Sequence, residues 1–116
     1  IMFPISDVHG RLVGATGRLM PGSKNTEASA EGGSASGGKY VNTPETLLYH
    51  KGSILYGLHF AKEAIKKKNL AVIVEGNVDV IMSHQVGVTE VVGASGTALT
   101  DDQCRLLKRY TDRVAF

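Results

Sequence analysis

From residue 54 onward the chain alternates helical and extended apolar patterns, and this alternation restricts its fold more than any other feature of the sequence. Ile54, Leu55, Leu58, Ala61 and Ile65 recur at helical spacing, with Lys62, Lys66 and Lys67 on the other faces. Leu70 to Val74 is a continuous apolar run, the pattern of a parallel strand buried on both faces. The pattern predicts a short helix over 78–85, ended by Gly87, and a strand at Glu90-Val91-Val92. Thr100 then caps a third helix. Gln103 completes a capping box there, and Asp101 and Asp102 lie in the electropositive first turn. Cys104, Leu107 and Tyr110 are the expected buried stripe of that helix, and residues 113–116 read as a third strand. An α-β-α-β-α-β order implies a parallel sheet with right-handed crossovers.

The first half reads differently. Met2-Phe3-Pro4-Ile5 and Leu12-Val13-Gly14-Ala15 flank Asp7-Val8-His9-Gly10, a hairpin signal. Lys39 to Asn42 is a short extended stretch, and Pro44 keeps Thr43 out of the helical region. Between them, Gly22 to Gly38 holds five of the 14 glycines (22, 32, 33, 37 and 38) and no apolar residue larger than alanine. Such a stretch is expected to be a flexible loop, because it cannot bury enough apolar surface to offset its ordering entropy. The expected class is therefore α/β, α+β overall: an N-terminal antiparallel hairpin subdomain followed by a parallel sheet with flanking helices.

Composition narrows the function classes. With 42% hydrophobic and 21% charged residues in 116, the chain is ordinary globular protein, about one domain long. No apolar run approaches the ~18 residues of a membrane span. The single cysteine excludes an internal disulfide framework and a cysteine-based zinc site, and fits a reducing compartment. A net charge of +2, no Trp, four Tyr and three Phe do not by themselves argue nucleic-acid binding. The first residues carry neither the basic nor the long apolar region of a signal peptide. The chain starts without an initiator Met and stops in a strand pattern, so it reads as a piece of a longer protein.

In an open parallel sheet, ligands collect at the carboxyl ends of the strands. Two segments lie there. In Val74-Glu75-Gly76-Asn77-Val78-Asp79, Glu75 leaves the strand end, Gly76 permits a sharp turn, and Asp79 falls in the first turn of the next helix. In Gly93-Ala94-Ser95-Gly96-Thr97-Ala98, backbone N–H groups of small residues can approach a phosphate closely. Each has a plainer reading. Asp79 is stabilised by the helix dipole without any function, and a Gly-Thr-Ala turn is often only a turn. Glu75 is costly at a buried strand end unless it is solvated, paired or bound to a metal. Lys66-Lys67-Lys68 reads as a solvated helix end. His9, His50, His59 and His84 show no ligand spacing, and Cys104 reads as core.

The Val74–Val80 block, followed by Gly96-Thr97-Ala98-Leu99-Thr100, resembles the start of a Toprim domain. Lys39-Tyr40-Val41-Asn42-Thr43-Pro44-Glu45-Thr46, His50-Lys51-Gly52 and Leu55-Tyr56-Gly57 resemble the polymerase core of bacterial DnaG-type primases. Ile1 to Ile5, Asp7, Gly10-Arg11, Gly14 and Gly17-Arg18 match that family's opening hairpin. The resemblance covers the chain except residues 22–38. It divides the chain into residues 1–68, part of the N-terminal subdomain, and 69–116, the first half of a Toprim domain.

The resemblance implies a DNA-directed RNA polymerase making short primers on single-stranded template by metal-dependent nucleotidyl transfer. It makes Glu75 the ligand of a catalytic Mg²⁺ or Mn²⁺ and Asp79 its supporting carboxylate. Arg18, Lys39, Asn42, Lys51, Gly76, Gly96 and Thr97 become the nucleotide- and template-binding set. Partners implied are single-stranded DNA, NTPs and, through a region outside these residues, the replicative helicase; no membrane is implied. A zinc site belongs only to a domain absent here, and the family's Asp-x-Asp carboxylates would follow Phe116. The implied location is the bacterial cytoplasm, at the replisome. Other readings are a phage-type primase–helicase, a Toprim nuclease or topoisomerase, and a noncatalytic nucleic-acid-binding module. A nuclease or topoisomerase has no need of the block from Lys39 to Gly57.

Overall fold

Asp7 closes the first hairpin. Its carboxylate accepts the N–H groups of His9 and Arg11 and the Arg11 guanidinium, so the turn is tied to one short side chain. In the computed structural model, which describes residues 1–20, 40–96 and 98–116, this turn joins strands β1 (Met2–Ser6) and β2 (Leu12–Arg18). β3 (Tyr40–Asn42) pairs antiparallel with β2, giving the order β1-β2-β3. The period-2 alternation turns Phe3 and Ile5 inward and leaves Met2 and Pro4 exposed. The stretch expected to be a loop, 22–38, lies outside the described residues, as do Lys39 and Thr97.

The second half is α1 (Leu58–Lys68), β4 (Ala71–Val74), α2 (Asn77–Gln85), β5 (Val91–Gly93), α3 (Asp101–Lys108) and β6 (Val114–Ala115). The parallel sheet runs β5-β4-β6. The chain passes from β4 out to β5, then back across β4 to β6. Right-handed crossovers in opposite directions require the two helices to lie on opposite faces. Burial agrees. Ala71, Ile73, Val92 and Ala94 face a core shared with α1 and with Leu107 of α3. The side chain of Val80, in α2, lies against Gly93 and Gly57.

Three expectations need correction. The periodicity beginning at Ile54 suggested that the first helix starts there. It starts at Leu58, because Gly57 takes a left-handed φ of 80° and residues 51–53 form a separate 3₁₀ turn. Cys104 is exposed, not core. The buried face of α3 instead carries Gln103 and Leu107, with Leu106 and Tyr110 beside them, because Gln103 has carbonyl partners inside. Lys68 is not simply a solvated helix end, since its Nζ lies 2.8 Å from a carboxylate oxygen of the buried Glu90.

Candidate functional site

β4 and β5 are adjacent and parallel, yet their following helices leave on opposite faces. A crevice therefore opens between their carboxyl ends, at the topological switch point. Two loops meet in it. Val74 pairs with Gly93, the Ala94 N–H donates to the Val74 carbonyl, and the Gly96 N–H donates to the Glu75 carbonyl at 3.0 Å. The Ser95 hydroxyl donates to the amide oxygen of the buried Asn77 at 3.1 Å, so the first residue of α2 grips the loop after β5.

Glu75 stands at this mouth, solvent-exposed, and no hydrogen bond or ion pair among the described residues engages its carboxylate. Asp79 is also exposed. Its Oδ2 accepts the Gly76 N–H at 3.2 Å, half of a capping box that glycine has no side chain to complete. A Cβ on Gly76 would lie 2.6 Å from that oxygen, so glycine is needed for this carboxylate to reach back. Ser95 and Gly96 both have positive φ, of 57° and 78°, which curls the loop after β5 toward the mouth. The Gly96 N–H is already occupied, and no Cβ contact would lie within 4 Å of Gly96. Two carboxylates at one strand end suit a hard, oxygen-seeking cation. Among the described residues no cluster of three or more His, Cys, Asp or Glu could hold one alone.

The basic residues lie on two other elements. On the small sheet, Arg18 pairs with Tyr40 and Thr16 with Asn42 across β2 and β3, so all four share one face. Arg18 Nη1 donates to the Tyr40 hydroxyl at 3.2 Å and the guanidinium lies over its ring, 5.3 Å from the centroid. Thr16, itself buried, donates its hydroxyl to Asn42 Oδ1 at 2.7 Å and sets the orientation of that amide.

Lys51 opens the 3₁₀ turn. Its N–H donates to Glu45 Oε1 at 2.9 Å, and Glu45 Oε2 lies 2.9 Å from His50 Nδ1. The Lys51 N–H bond draws the Glu45 pKa below its usual range, with His50 adding to the effect against a smaller push from burial. On the other side, Gln103 Nε2 donates to the carbonyls of Ile54 at 2.8 Å and Lys51 at 3.3 Å, and the Thr100 hydroxyl donates to the Gly52 carbonyl. A backbone bridge between Tyr56 and Gly93 ties the next residues to β5. The turn bearing Lys51 is thus fastened to the loop-and-helix segment that leaves the switch point. Sequence reasoning found Thr100 and Gln103 only as a cap, and did not single out Glu45. No local signal marks Gln103, because the carbonyls that its amide reaches lie 49 and 52 residues away.

A right-handed parallel α/β unit with an acidic strand end at its switch point is the class of protein in view, and residues 72–116 match a model described as Toprim-like. Residues 1–62 match the DNA primase catalytic core, N-terminal domain, and the chain belongs to that family. The DNA primase of Synechococcus elongatus is 42% identical over 112 residues, covering 97% of this chain and 14% of that protein. The crystal structure of the Aquifex aeolicus primase zinc-binding and RNA polymerase domains superposes with a TM-score of 0.82 at 36% identity, covering 97% of this chain and 25% of that one. The RNA polymerase domain of Mycobacterium tuberculosis primase DnaG, in complex with double-stranded DNA, gives 0.79 at 38% identity, covering 96% of this chain and 32% of that one. The chain spans between 14% and 20% of the length of the curated relatives it matches. Among the described residues no helix is long and apolar enough to cross a membrane.

Proposed function

We propose that this chain is part of the polymerase core of a bacterial DNA primase, which joins ribonucleotides into short primers on a single-stranded DNA template at the replisome, in the cytoplasm. Residues 1–68 belong to the N-terminal subdomain and 69–116 to the first half of a Toprim domain. One observation carries the reading. The acidic mouth at the ends of β4 and β5 and the basic turn at Lys51 are fastened to each other, through α3 and the Tyr56–Gly93 bridge. A nucleotidyl-transfer site needs both signs of charge at fixed separation: carboxylates for metal and cations for phosphate.

In this reading Glu75 holds Mg²⁺ or Mn²⁺ and Asp79 supports it from the first turn of α2. The exposed, unengaged Glu75 carboxylate and the one oxygen Asp79 leaves unbonded to Gly76 fit such an ion. When bound, the ion polarises phosphate and stabilises charge on the attacking and leaving oxygens. Two carboxylates are an incomplete set, so the ion would need further oxygen ligands besides Glu75 and Asp79. Lys39 and Lys51 supply point charges to NTP and template phosphates, and Arg18 forks onto phosphate or template backbone beside Asn42. Gly76 and Gly96 let the two loops approach the nucleotide closely, and Thr97 is assigned to the same nucleotide-binding set. A related polymerase domain has been seen in complex with double-stranded DNA, which supports a nucleic-acid role for the chain. The helicase contact and any zinc site are assigned to regions outside these residues.

Glu75→Gln, in a primase carrying this chain, keeps the shape and removes the charge. Dinucleotide synthesis with Mg²⁺ on single-stranded template falls below a tenth of the parent rate while DNA binding is retained. Synthesis above that level overturns the assignment of Glu75.

A further inference from the structure

Gln103 is the most deeply buried of the polar residues, and the proposed site gives it no role. It is wholly shielded from solvent, at 0% exposure, on a helix face otherwise filled by Leu107 and its apolar neighbours. A buried amide is costly unless its hydrogen bonds are made. Here all are made. Oε1 accepts the Thr100 N–H at 3.1 Å, and Nε2 donates to the carbonyls of Ile54 and Lys51, 49 and 52 residues away. A capping box accounts for the first bond and leaves the other two unexplained. Thr100, the N-cap, adds the bond from its hydroxyl to the Gly52 carbonyl. With Glu45 accepting the Lys51 N–H, the Lys51 backbone is fixed at both its donor and its acceptor.

We propose that Gln103, with Thr100, is a positioning residue, locking the 51–54 turn so that the Lys51 ammonium is presented to phosphate beside the Glu75 strand end. The proposal rests on the phosphate-binding reading of Lys51. A lysine ammonium is a point charge on a flexible stem, so only a fixed backbone limits where that charge can reach. Fixing it in advance removes part of the ordering cost that binding would otherwise carry.

A double-mutant cycle on this chain tests the proposal. The probe is a short fluorescein-labelled single-stranded DNA, read by anisotropy from low to moderate salt. Lys51→Ala weakens binding about tenfold, the scale of one charge-assisted hydrogen bond, and flattens the salt slope by about 0.7, one phosphate contact on a single strand. Gln103→Met fills the same space without an amide and produces much of both effects. In the double variant it adds nothing to Lys51→Ala. Thr100→Val behaves like Gln103→Met, whereas Thr100→Ser, which keeps the hydroxyl, retains parent affinity. This pair decides the matter if Gln103→Met unfolds. A Gln103→Met loss that persists in the Lys51→Ala background, with the slope unmoved, shows a merely structural role and overturns the proposal. If Lys51→Ala weakens binding but Gln103→Met and Thr100→Val do not, the proposal fails and the Lys51 reading stands. If Lys51→Ala binds like the parent, the Lys51 reading fails and takes the proposal with it.

Discussion

Gly57→Ala tests how tightly the two helical layers are joined at the entrance to α1. Gly57 caps that helix with φ at 80°, in the left-handed region, and a Cβ there would lie 2.8 Å from Val80 Cγ1. The first cost is conformational, about 1–2 kcal/mol for a side chain in that region. The second is overpacking, about 1–3 kcal/mol, because Val80 is only 2% exposed and has little room to retreat. Together they destabilise by about 3 kcal/mol. For a chain of this length that lowers Tm by roughly 10–15 °C. Thermal unfolding followed by circular dichroism is the assay. Val80→Ala, itself destabilising, removes the clash but not the strain, so the double variant loses about 1–2 kcal/mol less than the sum of the singles. A Gly57→Ala melting point within about 2 °C of the parent, or strict additivity with Val80→Ala, refutes the packing argument.

Other consequences follow from particular contacts. Burial pushes the Asp7 carboxyl upward, but the Arg11 guanidinium and the N–H groups of Arg11 and His9 outweigh it and bring its pKa from 3.8 to about 2. A carboxyl depressed in the folded state stabilises fully above its unfolded pKa. That contribution therefore fades as pH falls from about 4 toward 2, and Asp7→Asn shows a flatter stability profile there in pH-dependent unfolding. Lys68→Met leaves the buried Glu90 carboxylate without its ammonium partner and costs about 1 kcal/mol in urea unfolding, the half-exposed lysine limiting the loss. Arg18→Ala removes a cation from the small sheet; single-stranded DNA affinity drops and the salt slope flattens by about 0.7, while Tm barely moves.

The parallel sheet was legible because its signals are local and agree with one another. A run of apolar residues from Leu70 to Val74, a Gly-ended helix and a Thr100–Gln103 capping box each specify an element without help from distant parts of the chain. The position of Glu75 at a strand's carboxyl end followed from the succession of elements, while the switch point itself needed the spatial strand order β5-β4-β6. Two of the three errors share one cause. Ile54 and Leu55 have helical spacing, yet the turn before Gly57 is held by side chains of α3. Cys104 looks more apolar than Gln103, yet the carbonyls waiting inside select the amide. Neither fact is visible to periodicity, because each depends on partners about fifty residues away. Glu45 was missed for a different reason: its partner is only six residues on, but an acidic residue after Pro44 gives no sign that the chain turns back so that it accepts the Lys51 N–H.

Glu75 and Asp79 are proposed as the carboxylates that hold metal at this end of the sheet. A Mn²⁺ titration of the ¹⁵N-labelled chain tests that proposal most directly, since a bound paramagnetic ion broadens the amide signals nearest to it. With part of a full ligand set, binding is expected on the order of millimolar. The signals of Glu75, Gly76 and Asp79 broaden first, excess Mg²⁺ restores them, and Glu75→Gln abolishes the effect. Broadening that begins elsewhere, or that survives unchanged in Glu75→Gln, contradicts the account.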